Sequence, residues 1–130
     1  MVGASGSIGF AIVHELVNRG LTVVAFARNE EKLRRLFTDV EEVMIYKGDA
    51  GNEYDLEQAA KDVDIIVHSL NVPYHKWDPY LVNYLNNIVS VAEKCQAKLA
   101  YVDNVYAYGI PAISPITEET PKNRIRKKEK

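Results

Sequence analysis

Apolar and polar positions along the chain switch repeatedly between a helical spacing and short continuous runs. Phe10-Ala11-Ile12-Val13-His14-Glu15-Leu16-Val17 is amphipathic and predicts a helix from Ser7 to about Arg19, with Gly20 as its left-handed cap. Leu21 to Ala27 is an unbroken apolar run of strand length, the pattern of a strand covered on both faces. Asn29 can cap a short helix to about Phe37, with Glu30 and Glu31 in its first turn and Lys32, Arg34 and Arg35 after them. Val43-Met44-Ile45-Tyr46 predicts the next strand, and Asn52 opens a short helix from Glu53 to about Lys61. Asp64 to His68 is another strand. Asp78 to Cys95 reads as the longest helix, with Asp78 as N-cap and Pro79 at its first position, and Lys98 to Val102 as the last strand.

This alternation predicts βαβ units in an α/β fold, a doubly wound parallel sheet of five strands. The first strand is truncated, because only Met1-Val2 precede the glycine-rich turn. Residues 1–121 are expected to form one domain, with Pro111, Pro115 and Pro121 marking its aperiodic end and 122–130 a basic tail.

The turn itself is Gly3-Ala4-Ser5-Gly6-Ser7-Ile8-Gly9, a G-x-x-G-x-x-G loop directly before a helix. Glycines at this spacing let the chain turn tightly and let a pyrophosphate approach bare backbone. The helix behind them offers unpaired N–H groups and the positive end of its dipole. A flexible glycine turn would carry the same letters, and the alternating elements favour dinucleotide binding over it.

Composition narrows the classes. The net charge is −2, so no general attraction to nucleic acid or an anionic membrane is implied. Charge is uneven: Lys122, Arg124, Arg126, Lys127, Lys128 and Lys130 face only Glu129 in the tail. That tail lacks an aromatic for base stacking and reads as a solvated end. The one cysteine, Cys95, excludes an intrachain disulfide, suits a cytoplasmic protein, and reads as a buried structural thiol. His14, His68 and His75 are scattered and suggest no metal site.

In order along the chain, five segments resemble the extended or atypical short-chain dehydrogenase/reductases, the superfamily of NAD-dependent epimerases and dehydratases. They are the glycine loop, Gly48-Asp49, Val63 to His68, Tyr101 to the Tyr108-Gly109 pair, and Pro115-Ile116-Thr117-Glu118-Glu119-Thr120-Pro121. The resemblance implies a Rossmann-like fold, with Gly3, Ser5, Gly6, Ser7, Ile8 and Gly9 at the pyrophosphate. It further implies Asp49 and Ala50 at the adenine, and Ser69, Leu70 and Asn71 beside the cofactor. Turn chemistry alone would also account for Gly-Asp-Ala-Gly-Asn.

An NAD-selective site commonly carries an acid after the second strand. Here that position is Ala27, followed by Arg28, whose guanidinium suits the 2′-phosphate of NADP. NADP is therefore expected over NAD, the alternative being an arginine paired with Glu30 or Glu31.

The resemblance also implies a Tyr-x-x-x-Lys pair and a Ser or Thr that polarises the substrate. The hydroxyl position holds Asn104, whose amide can donate to an oxyanion but cannot relay a proton. The tyrosine position falls near Lys128, and Tyr101, Tyr106 and Tyr108 have no lysine four residues on. Tyr74-His75-Lys76-Trp77 reads as an exposed loop with Trp77 packed on the fold, and His14 and His68 as packing residues. The expected function is thus the NAD(P)-binding half of an epimerase/dehydratase- or reductase-like oxidoreductase with incomplete catalytic machinery, its small-molecule substrate open. The alternatives are a non-catalytic dinucleotide-binding regulator, or an inactive remnant from a fragment, a misassigned start or a shortened gene.

Overall fold

A computed structural model describes residues 1–73, 75, 77–104, 108–109 and 115–122. Helix α1 runs Ser7–Asn18, strand β1 Val23–Ala27, α2 Glu30–Leu36, β2 Val43–Lys47, α3 Glu53–Ala59 and β3 Ile65–His68. A wide π-type turn, Trp77–Leu81, leads into α4 (Val82–Lys94) and β4 (Lys98–Tyr101).

The sheet is parallel throughout. Val23 to Ala27 of β1 pair with Val43 to Lys47, and Ile65 to His68 of β3 pair with Lys98 to Tyr101. Val2 joins the two halves by bridging both Phe26 and His68, so the order is β2, β1, Val2, β3, β4. The expected first strand is thus seen as one bridging residue, Val2, at the centre of the sheet. Its Val2 N–H donates to Val67 at 2.8 Å, and its carbonyl accepts Ser69 N–H at 3.1 Å. Beyond it the sheet opens into an apolar groove of about 710 Å³, with Val23, Ile66 and Ile88 among its walls. The Met1 amino group reaches into the sheet to donate to the Val24 carbonyl at 2.7 Å, and burial pushes its pKa down to about 6.

Two apolar clusters hold the helices on. Ala4, Val13, Val23, Ala25, Leu33 and Phe37 pack α1 and α2 on one side. Val2, Phe26, Leu56, Ile66, Ile88 and Val91 pack α3 and α4 on the other. Helices on both faces of a parallel sheet make the doubly wound architecture expected from the alternation.

Local signals placed most boundaries. Asn29 Oδ1 accepts Lys32 N–H at 2.9 Å and Asn52 Oδ1 accepts Tyr54 N–H at 3.1 Å, so both asparagines cap as expected. Gly20 has φ +78° directly after α1. Leu21 and Thr22 lie ahead of β1 rather than in it, with Leu21 exposed.

The long helix is shorter than its sequence suggested. Asp78 has the extended backbone (φ −102°, ψ 127°) of a residue flanking a helix start, and a wide turn separates it from α4, which begins at Val82 with Leu81 preceding it. The proline ring that follows disfavours an α conformation at Asp78 and holds it extended.

Candidate functional site

Four consecutive connections leave the same edge of the sheet. The Gly3–Gly9 loop follows Val2, Arg28 follows β1, Gly48 to Ala50 follow β2, and Ser69 to Val72 follow β3. Together they line one open cleft of about 580 Å³, at the point where the chain winds to β1 and β2 on one side and to β3 and β4 on the other. Ligands of such sheets sit in that crevice, and the volume suits a small organic ligand.

The glycine loop is shaped by contacts no side chain could share. Gly3 has φ +85°, and a Cβ there would lie 2.9 Å from Leu70 N. A Cβ on Gly9 would lie 2.2 Å from the Gly3 carbonyl oxygen. Gly6 N–H closes the turn on that same oxygen at 3.1 Å. These contacts bring α1 tight against the end of the central strand.

The first turn of α1 differs from those of the other short helices. Gly6 is its N-cap, with no side-chain cap and no acid in the first turn. Helices α2 and α3 both have capping asparagines and two acids there. The first bond into α1 is Phe10 N–H to Gly6 at 2.8 Å, so Ser7, Ile8 and Gly9 N–H have no acceptor within the helix. All three residues line the cleft. Bare N–H groups at a positive dipole end, with no carboxylate to fill them, form an anion seat.

The sequence-expected residues are largely brought together. Gly3, Ser5, Gly6, Ser7, Ile8, Gly9, Arg28, Asp49, Ala50, Ser69, Leu70 and Asn71 all line the cleft. Ser69 Oγ is buried with no hydrogen-bond partner among the described residues. Arg28 is exposed at the rim, and the expected alternative of an ion pair to Glu30 or Glu31 is not formed among the described residues; Glu30 bonds Arg34 at 2.6 Å. Asp49 is partly committed to its own turn: Oδ1 accepts Gly51 N–H at 2.8 Å, while its N–H donates to Asp55 Oδ2 at 3.0 Å.

Asn104 is not among the cleft residues; it is exposed, three residues past β4. Tyr74, Lys76, Tyr106, Lys128 and the tail beyond Lys122 lie outside the described residues. Trp77 is half-buried, its indole N–H donating to the Val72 carbonyl at 3.0 Å. Cys95 is only half-buried, at the end of α4, since that turn faces the rim of the apolar cluster and not its centre.

His68 is fully buried and stacks on Tyr101 with centroids 5.0 Å apart. Its Nδ1 accepts Leu70 N–H at 3.1 Å, fixing the backbone that lines the cleft, and burial pushes its pKa down. It is a packing residue, as expected, with an added role in shaping the loop after β3. His14 sits between Phe10 and Phe37, with centroids 4.4 and 5.8 Å away.

Sequence reasoning missed Lys32 and Tyr84 in the cleft lining. Lys32 lies in the first turn of α2, whose capping Asn29 directly follows Arg28, a proximity that could have flagged it. Nothing local marks Tyr84, which arrives through the packing of α4.

Comparison with known proteins agrees with this geometry. The NAD(P)H-binding family matches residues 3–129. A UDP-glucose 4-epimerase of Lactobacillus helveticus is 30% identical over 143 residues, covering 96% of this chain and 41% of that protein. The chain thus spans about two fifths of the curated relative's length. The structure of dTDP-glucose 4,6-dehydratase from Bacillus anthracis in complex with NAD superposes with a TM-score of 0.79 at 24% identity, covering 96% of this chain and 43% of that one. Triphenylmethane reductase of Citrobacter sp., complexed with NADP(H), gives 0.69 at 24% identity, covering 86% and 39%.

Proposed function

The chain belongs to the NAD(P)H-binding family, and from that premise we propose that it binds NADP in preference to NAD as the cofactor half of an epimerase/dehydratase- or reductase-like oxidoreductase. The observation that carries the dinucleotide reading is the uncapped, acid-free first turn of α1 facing the cleft. Gly3 to Gly9 seat the pyrophosphate, and Ser69 Oγ gains a polar partner. Asp49, Ala50 and the backbone of Leu70 and Asn71 flank the rest of the cofactor.

Preference for NADP rests on charge. Arg28 and Lys32 both line the cleft, and neither forms an ion pair among the described residues. Two unspent cations at the end of β1 suit a phosphate on the ribose 2′-oxygen. No carboxylate from the end of β1 competes for that ribose.

When bound, the nicotinamide ring supplies hydride exchange. The chain's own residues bind it, orient it and hold its phosphates. Asn104 can donate an amide hydrogen bond to a substrate oxygen but cannot carry a proton, so this chain lacks an acid/base group at that position. A carbonyl or sugar-nucleotide substrate is the class supported by the epimerase relative. The single cysteine supports a cytoplasmic location. The domain spans residues 1–121, followed by the basic tail 122–130.

Calorimetric titration of the 130-residue chain tests the reading. Saturable binding of NADP, tighter than NAD, is expected; tighter NAD removes the preference, and no binding of either removes the function. The departure at Asn104 favours a second reading, a dinucleotide-binding module without turnover. Cofactor-dependent turnover by the chain would eliminate it.

A further inference from the structure

We propose that the Tyr84 ring is the aromatic wall against which the cofactor's nucleobase lies, making Tyr84 a binding residue for the adenosine half. The inference rests on the dinucleotide reading above.

One stripe of α4 faces the loop that lines the cleft. Tyr84, Asn87, Ser90 and Lys94 follow one another at spacings of three and four, so they share a helical face. That face meets α3 and the loop leading into it. Asn87 Nδ2 donates to the Ala50 carbonyl at 2.9 Å, Ser90 Oγ bonds Glu53, and Lys94 Nζ lies 3.0 Å from Glu53 and 3.5 Å from Glu57. The ring of Tyr84 packs where Gly51 leaves room: a Cβ on Gly51 would stand 3.3 Å from Tyr84 Cε1. These four polar ties hold α4 on the loop and α3, and the contact at Gly51 sets the ring against the loop.

The ring is half-buried against the apolar cluster below and lines the cleft above. Its place in the cleft identifies which half of the ligand it meets. The phosphates lie at α1, and Arg28 and Lys32 mark the ribose that carries the 2′-phosphate. The base attached to that ribose therefore extends toward Asp49, Ala50 and Tyr84 rather than toward Ser69 and Asn71. A flat ring held rigidly there offers a π-face to a purine at no cost in ordering.

The test uses the whole chain with 2′,5′-ADP, which carries the base, and inorganic pyrophosphate, which does not. Tyr84→Leu keeps apolar bulk against Gly51 and should weaken 2′,5′-ADP about tenfold while leaving pyrophosphate unchanged. Tyr84→Phe should bind 2′,5′-ADP within about twofold of wild type. In the unaltered protein, 2′,5′-ADP but not pyrophosphate should shift the Tyr84 ring-proton resonances, a readout independent of whether a variant folds. Unshifted resonances, wild-type affinity in Tyr84→Leu, equal loss of both probes, or equal loss in Tyr84→Phe would each overturn the proposal while NADP still binds. A wild-type chain that binds no NADP overturns the underlying reading instead.

Discussion

A methyl group on Gly9 would stand 2.2 Å from the carbonyl oxygen of Gly3, so the start of α1 and the end of the central strand touch through bare backbone. Backbone cannot rotate away as a side chain does. Gly9→Ala should therefore destabilise the fold by about 1–3 kcal/mol and weaken NADP binding with it. Gly6 differs, because its φ is −82° and a Cβ there meets the same oxygen at an ordinary 3.4 Å. Gly6→Asp should keep the melting temperature and lose NADP, since its carboxylate enters the anion seat. Melting curves with and without NADP separate the two variants.

Arg28→Gln and Lys32→Gln should each weaken NADP about tenfold, roughly the 1.4 kcal/mol of a modest charge-assisted contact, and leave NAD within about twofold. Isothermal titration with both cofactors reads this directly. Equal losses for NAD and NADP would show that neither cation reads the 2′-phosphate.

Stability should fall as pH drops below 6.5 through the lowered folded pKa of His68. Burial holds the folded imidazole neutral, so the unfolded chain takes up its proton first as the solution is acidified. The stabilisation is fully present above the ordinary value of 6.5 and is lost as pH falls through the folded value. Protonation would also remove Nδ1 as acceptor for Leu70 N–H. His68→Phe should flatten this acid limb in urea titrations at pH 7 and pH 5; an unchanged slope would assign the limb to other groups.

Leu33 is completely buried between α2 and β1. Leu33→Ala should cost about 2–5 kcal/mol, measured as a lower urea midpoint, because its neighbours Val23, Ala25 and Phe37 are held by the sheet and helix.

Much of this protein is written locally. Apolar runs mark β1 to β4, Asn29 and Asn52 cap through their own side chains, and Gly20 needs no Cβ where φ is positive. The glycine spacing likewise marks the anion seat, since φ and close approach are properties of those positions. Such signals act within a few residues, and a sequence displays them in order. The start of the long helix was legible only in part: Pro79 holds Asp78 extended, and the wide turn that delays α4 to Val82 has no local signal.

Other features depend on residues far apart in the chain. Val2 can bridge Phe26 and His68 only once both halves of the sheet exist. Tyr84 reaches the cleft because Asn87 ties α4 to Ala50, 37 residues earlier. Arg34 takes Glu30 along a helix whose handedness sets that partnership, and Arg28 forms no ion pair among the described residues. The chain alone determined a parallel α/β fold with a glycine-rich turn before its first helix; packing decided which side chains stand around the cleft, because contacts between distant segments form only when the sheet has closed.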